Sequence, residues 1–561
     1  MTNKDIARAL RETADLIELT GGNPYRANAF NRAARSIRGL DGPAAERLAD
    51  GTLTDVSGIG DAMAQHVTDL VTTGSFDQHD ELQNAVPPGL LDMMRVKGLG
   101  TKKVRALWNE LNVASLDALE RAAREDRITN LSGFGATTQT NILENVQRLR
   151  AYNKQRRYAD AVAALRPLLE ALRADDAVTR AEVTGPLRRR METLERADLL
   201  VSTSSPDALA AALADLVEAE VETDGSTLHS TLTDGLPLVV HRTAPDAFGT
   251  TWWRTTGSAS HCDAFEAAYG APDTVADEDA LFARAGLAPV PPELREDDGE
   301  LEAAADDALP RLIEVDDLRG SLHNHSTYSD GAHPLRTMAE AARDMGLSYF
   351  GICDHSQSLQ VAGGLMPDDV REQWDEIEAL NDAFASDDSS RFRIFRGIES
   401  DILGDGSLDY ADDLLAGFDF VVASVHTTFG MTEAEATQRV VTAVQNPHTR
   451  ILGHPTGRLL LQREGYPLNH AAVIDACAAH DVAIEINANP YRLDLDWRWV
   501  RRAVDQGVLL SINPDAHATA ELQYVRWGVA VARKGWLTPD ACLNAKSLDA
   551  FTDWIEDGPA A

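Results

Sequence analysis

Apolar positions along this chain follow two different periods, and the change between them divides the sequence. From Lys4 to Leu19 they recur at helical spacing, and Gly21-Gly22-Asn23-Pro24 ends that helix. Tyr25 opens a second helix that carries Phe30, Arg32 and Arg35. Helical patterns continue to about residue 155, broken by three Gly-apolar-Gly turns: Gly58-Ile59-Gly60, Gly98-Leu99-Gly100 and Gly133-Phe134-Gly135. Residues 158–288 read as mixed α/β. Beyond residue 317 short apolar runs alternate with helical patterns. The runs are 347–353, 392–398, 418–425, 450–453, 482–486 and 508–512. The helical patterns are 335–345, 370–384, 433–444, 471–479, 497–504 and 522–532. Strand then helix, repeated in this way, predicts a β/α barrel, whose strands end at one common mouth.

The residues at the ends of these runs are metal-ligand types. A first short run leads into His323-Asn324-His325, with Asp330 just after it. Alternate residues of a strand share a face, so the two imidazoles point the same way. The later runs lead into Asp354-His355, Glu399, His426, His454, Asn487 and Asn513-Pro514-Asp515-Ala516-His517. In a barrel, His323, His325, Asp330, His355, Glu399, His426, His454, Asp515 and His517 meet at the mouth. Mixed imidazole and carboxylate ligands suit Zn, Mn or Fe. Arg458 and Arg492 follow two of these strands and are candidates to hold flanking phosphates in a bidentate fork, with Arg463 behind them. Trp497 and Trp499 offer either a base-stacking surface or core packing.

His-x-His with its following Asp, Asp354-His355-Ser356, Gly397-Ile398-Glu399, Ser424-Val425-His426, Gly453-His454-Pro455-Thr456-Gly457-Arg458 and Pro514-Asp515-Ala516-His517 together resemble the PHP (polymerase and histidinol phosphatase) family. The resemblance fills every ligand position of that family's pattern. It implies a distorted (β/α)7 barrel holding a divalent metal cluster of up to three ions, zinc or manganese, that hydrolyses phosphate esters.

Composition narrows the setting. The length of 561 residues suggests several domains. The four cysteines, Cys262, Cys353, Cys477 and Cys542, are scattered without a Cys-x-x-Cys. That spacing points to a reducing compartment. The start is unlike a signal peptide, no apolar run is long enough to span a membrane, and a cytoplasmic protein is expected. The formal net charge is -37. Residues 1–150 hold 18 basic and 20 acidic groups, whereas the remainder holds 34 and 69. Acidic surplus of this kind suits a high-salt cytoplasm, hence a halophile.

The amino-terminal third is therefore spared the negative charge. Its three Gly-apolar-Gly turns each sit between helices and present free N–H groups at a helix start. Gly58, Gly60, Gly98, Gly100, Gly133 and Gly135, with Lys102 and Lys103, are candidates for sequence-independent contact with the DNA backbone. The turns resemble helix-hairpin-helix motifs. With the connecting stretches Val290-Pro291-Pro292-Glu293 and Leu318-Arg319-Gly320, the resemblance widens to the bacterial and archaeal PolX type, a family X DNA polymerase core fused to a PHP domain. It implies six parts: a helical DNA-end-binding domain (1–85), fingers-like hairpins (86–155), an α/β nucleotidyltransferase-like palm (156–247), a small thumb (248–288), a linker (289–316) and the PHP domain (317–561).

The palm departs from that family's pattern of Gly-Ser, Arg-Arg and Gly-Asp-x-Asp. The chain reads Gly185-Pro186-Leu187-Arg188-Arg189-Arg190, with Arg196 at the first aspartate, Asp198 at the second and Val239 at the third. One carboxylate cannot hold two Mg²⁺ ions, and an arginine among ligands repels them, so Mg²⁺ is expected only if this palm is active. Glu192 or Glu195 would have to supply what is missing. Arg188, Arg189 and Arg190 remain candidates for phosphate binding. His66 stands where the family's lyase lysine belongs. The favoured reading is a monomeric DNA-repair 3′-5′ exonuclease or phosphodiesterase acting on ends, gaps and primer-templates, with protein partners unknown. An active gap-filling polymerase with an exonuclease, a histidinol-phosphatase-like small-molecule phosphatase and a non-catalytic DNA-end scaffold are the alternatives.

Overall fold

Glycines set the geometry of the amino-terminal helices. In this computed structural model, which describes residues 1–558 except 2, 39, 41, 204, 218 and 387–390, Gly58, Gly98 and Gly133 have φ of 86°, 88° and 84°. Side chains other than glycine avoid that region. Gly60, Gly100 and Gly135 are extended and precede the helices Asp61–Thr73, Thr101–Leu111 and Ala136–Asn153. Ile59, Leu99 and Phe134 between them are buried. All three turns thus have one backbone conformation. The helices Asn3–Leu19 and Pro24–Arg38 share a core of Ile6, Leu10, Phe30, Ile37 and Val67. A second core gathers Leu107, Leu119 and Val146.

Backbone contacts divide the chain into Met1–Lys154 and Gln155–Ala561. The second unit contains a five-stranded sheet in the order Arg180–Thr184, Ala197–Ser202, Pro237–Thr243, Thr227–Thr231, Glu222–Asp224. The apolar faces of Tyr158–Ala174 and Pro206–Val217 cover it, burying Leu165, Leu172, Leu209 and Leu213 against Leu199 and Val201. The helices Phe248–Thr256, Ala259–Tyr269 and Glu278–Ala285 follow, packed around Trp253, Phe265 and Phe282. The expected linker is not a loose tether. Arg295 is buried against the Glu278 carboxylate at 2.6 Å, and Glu293 meets Arg190 at 3.1 Å and Arg533 at 2.7 Å.

Seven parallel strands then run in sequence order: Gly320–Ser321, Tyr349–Ile352, Arg393–Asp401, Phe420–Ser424, Thr449–Leu452, Ala483–Asn487 and Leu510–Asn513. Their apolar residues are buried on both faces, as expected of parallel sheets. The Asn544 side chain and a backbone hydrogen bond seal the gap between first and last strands. Asn544 donates to Gly320 O at 3.1 Å and accepts from Ile512 N at 2.7 Å, and His325 N donates to Ala516 O at 2.8 Å. Two expectations need correction. Glu399 lies within its strand rather than at the end, and the helix expected over 522–532 is a 3₁₀ turn, Thr519–Tyr524, followed by Val525–Lys534. No helix among the described residues is long and apolar enough to cross a membrane.

Candidate metal centre

The strands deliver all nine expected side chains to one mouth. Glu399 lies at its centre: its Oε1 is 3.0 Å from His454 Nε2, 3.2 Å from His426 Nε2 and 3.4 Å from His323 Nε2. His325 Nε2 is 3.1 Å from Asp515 Oδ1. Asp330 Oδ1 lies 3.4 Å from His355 Nε2 and 3.3 Å from His517 Nε2. Three groups have ligand atoms close enough to share an ion: His325, Asp330, His355 and His517; His323, His325 and Asp515; His355, Glu399 and His426. His325 and His355 belong to two groups each, and His454 joins through Glu399.

The donor set fits divalent ions. His323 Nε2, His325 Nδ1, His355 Nδ1, His454 Nδ1 and Glu399 Oε2 are buried and have no hydrogen-bond partner. Buried polar atoms are ordinarily paired, so these orphans point to a missing ligand. His355 Nδ1 and Glu399 Oε2 approach to 2.8 Å without forming a hydrogen bond.

The mouth is an array of opposed charges. Burial favours a neutral Glu399, but the charges of His426, His323 and His355 hold its carboxyl well below the usual range. Burial likewise works against the Asp515 carboxylate, and His323, the hydrogen bond from His325 and the charge of His517 outweigh it. Burial and the neighbouring His517 and His355 push His325 down to about 3. Burial opposes the charge on His517 too, yet its hydrogen bond to Asp330 and the charge of Asp515 raise it to about 10.

Behind the ligands stands a ring of acceptors that sequence reasoning did not single out. Glu485, wholly buried, accepts from His323 Nδ1 at 2.7 Å and His454 N at 2.7 Å. Asp401 accepts from His426 Nδ1 at 2.9 Å. The two Nδ1 bonds fix the His323 and His426 rings so that Nε2 faces the mouth. Asp354 accepts from Ser326 N at 2.8 Å and Gln373 Nε2 at 2.7 Å, tying down the turn after the His-x-His pair. A period-two signal was present for Glu485 and Asn487, and for Glu399 and Asp401: each pair shares a face of an otherwise apolar strand.

The arginines separate. Arg492 Nε is 3.4 Å from Asp515 Oδ2, at the mouth. Arg458, expected beside it, instead donates to Arg492 O at 2.9 Å, Asp496 Oδ2 at 2.7 Å and Leu493 O. Its fork is engaged inside the protein, whereas Arg492 faces the mouth. Arg463 donates to Gly457 O at 2.7 Å. Trp499 stacks on His470 at 4.7 Å, and Trp497 Nε1 donates to Glu192 at 3.2 Å, so both are packed within the protein.

In the palm, Asp198 is buried and pairs across the sheet with Val239. Arg196 Nε lies 3.0 Å and 3.1 Å from its two oxygens, and His241 Nε2 lies 3.4 Å from one of them. The Arg196 guanidinium and the His241 ring therefore occupy the place where metals would neutralise a carboxylate. Glu192 contacts the barrel rather than Asp198. Arg188, Arg189 and Arg190, the expected phosphate binders, are each paired with a carboxylate: Glu278 at 2.7 Å, Glu296 at 2.8 Å and Glu293 at 3.1 Å. His66 stacks on Phe76 at 4.5 Å and Phe30 at 5.6 Å, and burial lowers its pKa.

In the first unit, Lys103 Nζ donates to Gly98 O at 3.1 Å, Lys102 is exposed, and a methyl group added at Gly60, Gly98, Gly100, Gly133 or Gly135 would meet open space.

Comparison with known proteins agrees with this geometry. A helix-hairpin-helix domain matches residues 1–76, a SAM-like helix-hairpin-helix tandem matches 90–148 and the PHP domain matches 321–489. The chain is 35% identical to the DNA polymerase/3′-5′ exonuclease PolX of Bacillus subtilis over 98% of both chains. A probable phosphatase of Thermoanaerobacter is 24% identical over 40% of this chain and 88% of that protein. A probable phosphatase of Syntrophotalea carbinolica is 32% identical over 30% of this chain and 65% of that protein.

Proposed function

This chain belongs to the PolX family of DNA polymerase/3′-5′ exonucleases, and from that premise we propose that it is a metal-dependent 3′-5′ exonuclease of DNA repair whose nucleotidyl transfer is lost or weak. The observation that carries the reading is the contrast between its two candidate sites. The barrel mouth gathers nine candidate ligand side chains, Glu399 at their centre, while the palm keeps one carboxylate bound to Arg196. The three hairpins make DNA the partner and argue against a metabolite phosphatase.

A bound divalent cluster supplies charge stabilisation for the phosphoryl oxygens and an acidified water. His323, His325, Asp330, His355, Glu399, His426, His454, Asp515 and His517 would hold it, as Zn²⁺ or Mn²⁺. Glu485 and Asp401 orient His323 and His426. Arg492 holds a phosphate oxygen at the rim, and the hairpin glycines let DNA phosphates approach helix amino termini. The reading keeps the division at 85, 155, 247, 288 and 316, a monomer, and a halophile's cytoplasm, supported by four unpaired cysteines and the net charge of -37.

The test is a 3′-end trimming assay with Mn²⁺ and with Zn²⁺. Loss of metal on chelation and loss of trimming in His323→Ala/His325→Ala are expected. Undiminished trimming by that double variant would remove the barrel from the chemistry.

A further inference from the structure

A small ribbon joins the degenerate palm to the barrel mouth. Arg156–Arg157 pairs with Thr193–Leu194, and Tyr158 N donates to Glu192 O at 2.9 Å, so Arg157 and Glu192 sit side by side. Both reach the segment that leaves the sixth barrel strand. The Arg157 guanidinium lies 3.6 Å over the Tyr491 ring. Glu192 is buried, and its carboxylate meets Trp497 Nε1 at 3.2 Å, Arg498 Nη1 at 3.4 Å and Arg458 Nη2 at 3.6 Å. All three belong to the barrel.

Arg458 carries the contact inward. Its guanidinium donates to the carbonyls of Arg492 and Leu493 and to Asp496, bracketing residues 492–496. Arg492 in turn faces Asp515 at the mouth. A buried carboxylate is costly unless fully paired, so Glu192 and Arg458 hold each other in place. The palm therefore bears on the loop that places Arg492, through a stack at Tyr491 and a charge at Arg458.

We infer that the Arg157–Glu192 ribbon clamps this loop, and that Glu192 is a positioning residue for the barrel's reaction, acting through Arg458 on Arg492. The inference rests on the reading that Arg492 contacts a substrate phosphate. It also gives a palm with a single carboxylate a role: its ribbon helps build the nuclease mouth.

The experiment is a double-variant cycle in the full-length protein with Glu192→Ala, Arg492→Ala and both together. Two substrates are used, a 3′-labelled primer-template and bis(4-nitrophenyl) phosphate. Misplacing a substrate-holding group costs about ten- to hundredfold, which is the fall in kcat/KM expected for each single variant. The two changes are expected not to multiply, and Glu192→Gln is expected to recover part of the loss. Amide exchange in residues 489–496, measured on metal-free protein, is expected to rise in Glu192→Ala. Arg157→Ala, a milder change at the other point of the clamp, is expected to raise the same exchange if Glu192→Ala does not fold. Losses that multiply, or unchanged exchange in 489–496, overturn the clamp. If the wild type leaves DNA intact, the exonuclease reading fails, and the same cycle on the small diester, with the exchange measurement, still decides the clamp.

Discussion

Glu485→Gln is the most incisive change behind the metal mouth. Glu485 Oε1 accepts from His323 Nδ1 at 2.7 Å and Asn513 Nδ2 at 3.1 Å, while Oε2 accepts from His454 N at 2.7 Å and Asn487 Nδ2 at 3.2 Å. With His323 keeping its proton on Nδ1, a glutamine NH₂ group faces two donors whichever way it turns, so two of these bonds are lost. Each buried donor left unpaired costs about 1–3 kcal/mol, giving about 2–6 kcal/mol in all. Removing a partner of this kind typically lowers metal affinity about 10–100-fold, or about 1.4–2.8 kcal/mol at tenfold per 1.4 kcal/mol. The remainder is expected as lower stability of the metal-free protein. Calorimetric titration with Mn²⁺ and Zn²⁺ reads the first part, and denaturant unfolding of the apoprotein reads the second. Wild-type affinity together with wild-type stability would refute the claim that Glu485 sets the His323 and His454 geometry.

Four further outcomes follow from other parts of the molecule. Alanine at Gly60, Gly100 and Gly135, which have extended backbone and open space, is expected to leave stability within about 0.5 kcal/mol per site while lowering DNA affinity about tenfold in a fluorescence titration. Alanine at Gly58, Gly98 or Gly133 is expected instead to cost about 1–2 kcal/mol in unfolding experiments, because φ is positive there. Asn544→Ala removes the bridge from Gly320 to Ile512 and Asn513 and is expected to cost about 2–5 kcal/mol, read by urea unfolding. Burial raises the Glu278 carboxyl, but the charge of Arg295 and the bond from Arg188 outweigh it and bring the group from 4.5 down to about 2. Its folded pKa is depressed, so its contribution is present above about pH 4.5 and disappears as pH falls through about 2. By linkage that is about 3 kcal/mol, which Glu278→Gln is expected to lack in pH-dependent unfolding.

The barrel and the meeting of its imidazoles and carboxylates were legible because two constraints coincide there. Strand-length apolar runs announce parallel strands, and a metal mouth needs imidazoles and carboxylates at or near their ends, which is where His355, His426 and His454 stand. The Gly-apolar-Gly turns were legible for a similar reason, since a positive φ at Gly58, Gly98 and Gly133 leaves glycine as the residue of choice. What escaped was partner choice. Arg458 and Arg492 look equivalent in sequence, but only the fold shows that Asp496 and two carbonyls occupy Arg458. Arg188, Arg189 and Arg190 read as a phosphate-binding run, yet Glu278, Glu296 and Glu293 lie about a hundred residues away in sequence and meet them one by one. Glu192 read as a possible palm ligand, whereas its direction is set by the antiparallel pairing of 156–157 with 193–194.

The central claim is that the barrel, and not the palm, performs the chemistry. The most direct measurement follows end-labelled primer-template DNA at high KCl with Mn²⁺, with and without dNTPs, for the wild type, His323→Ala/His325→Ala and Asp198→Ala. Shortening from the 3′ end that only the histidine changes abolish, with no extension by any protein, is the predicted result. Primer extension by the wild type that Asp198→Ala abolishes would contradict it and show that the palm supports nucleotidyl transfer despite Arg196.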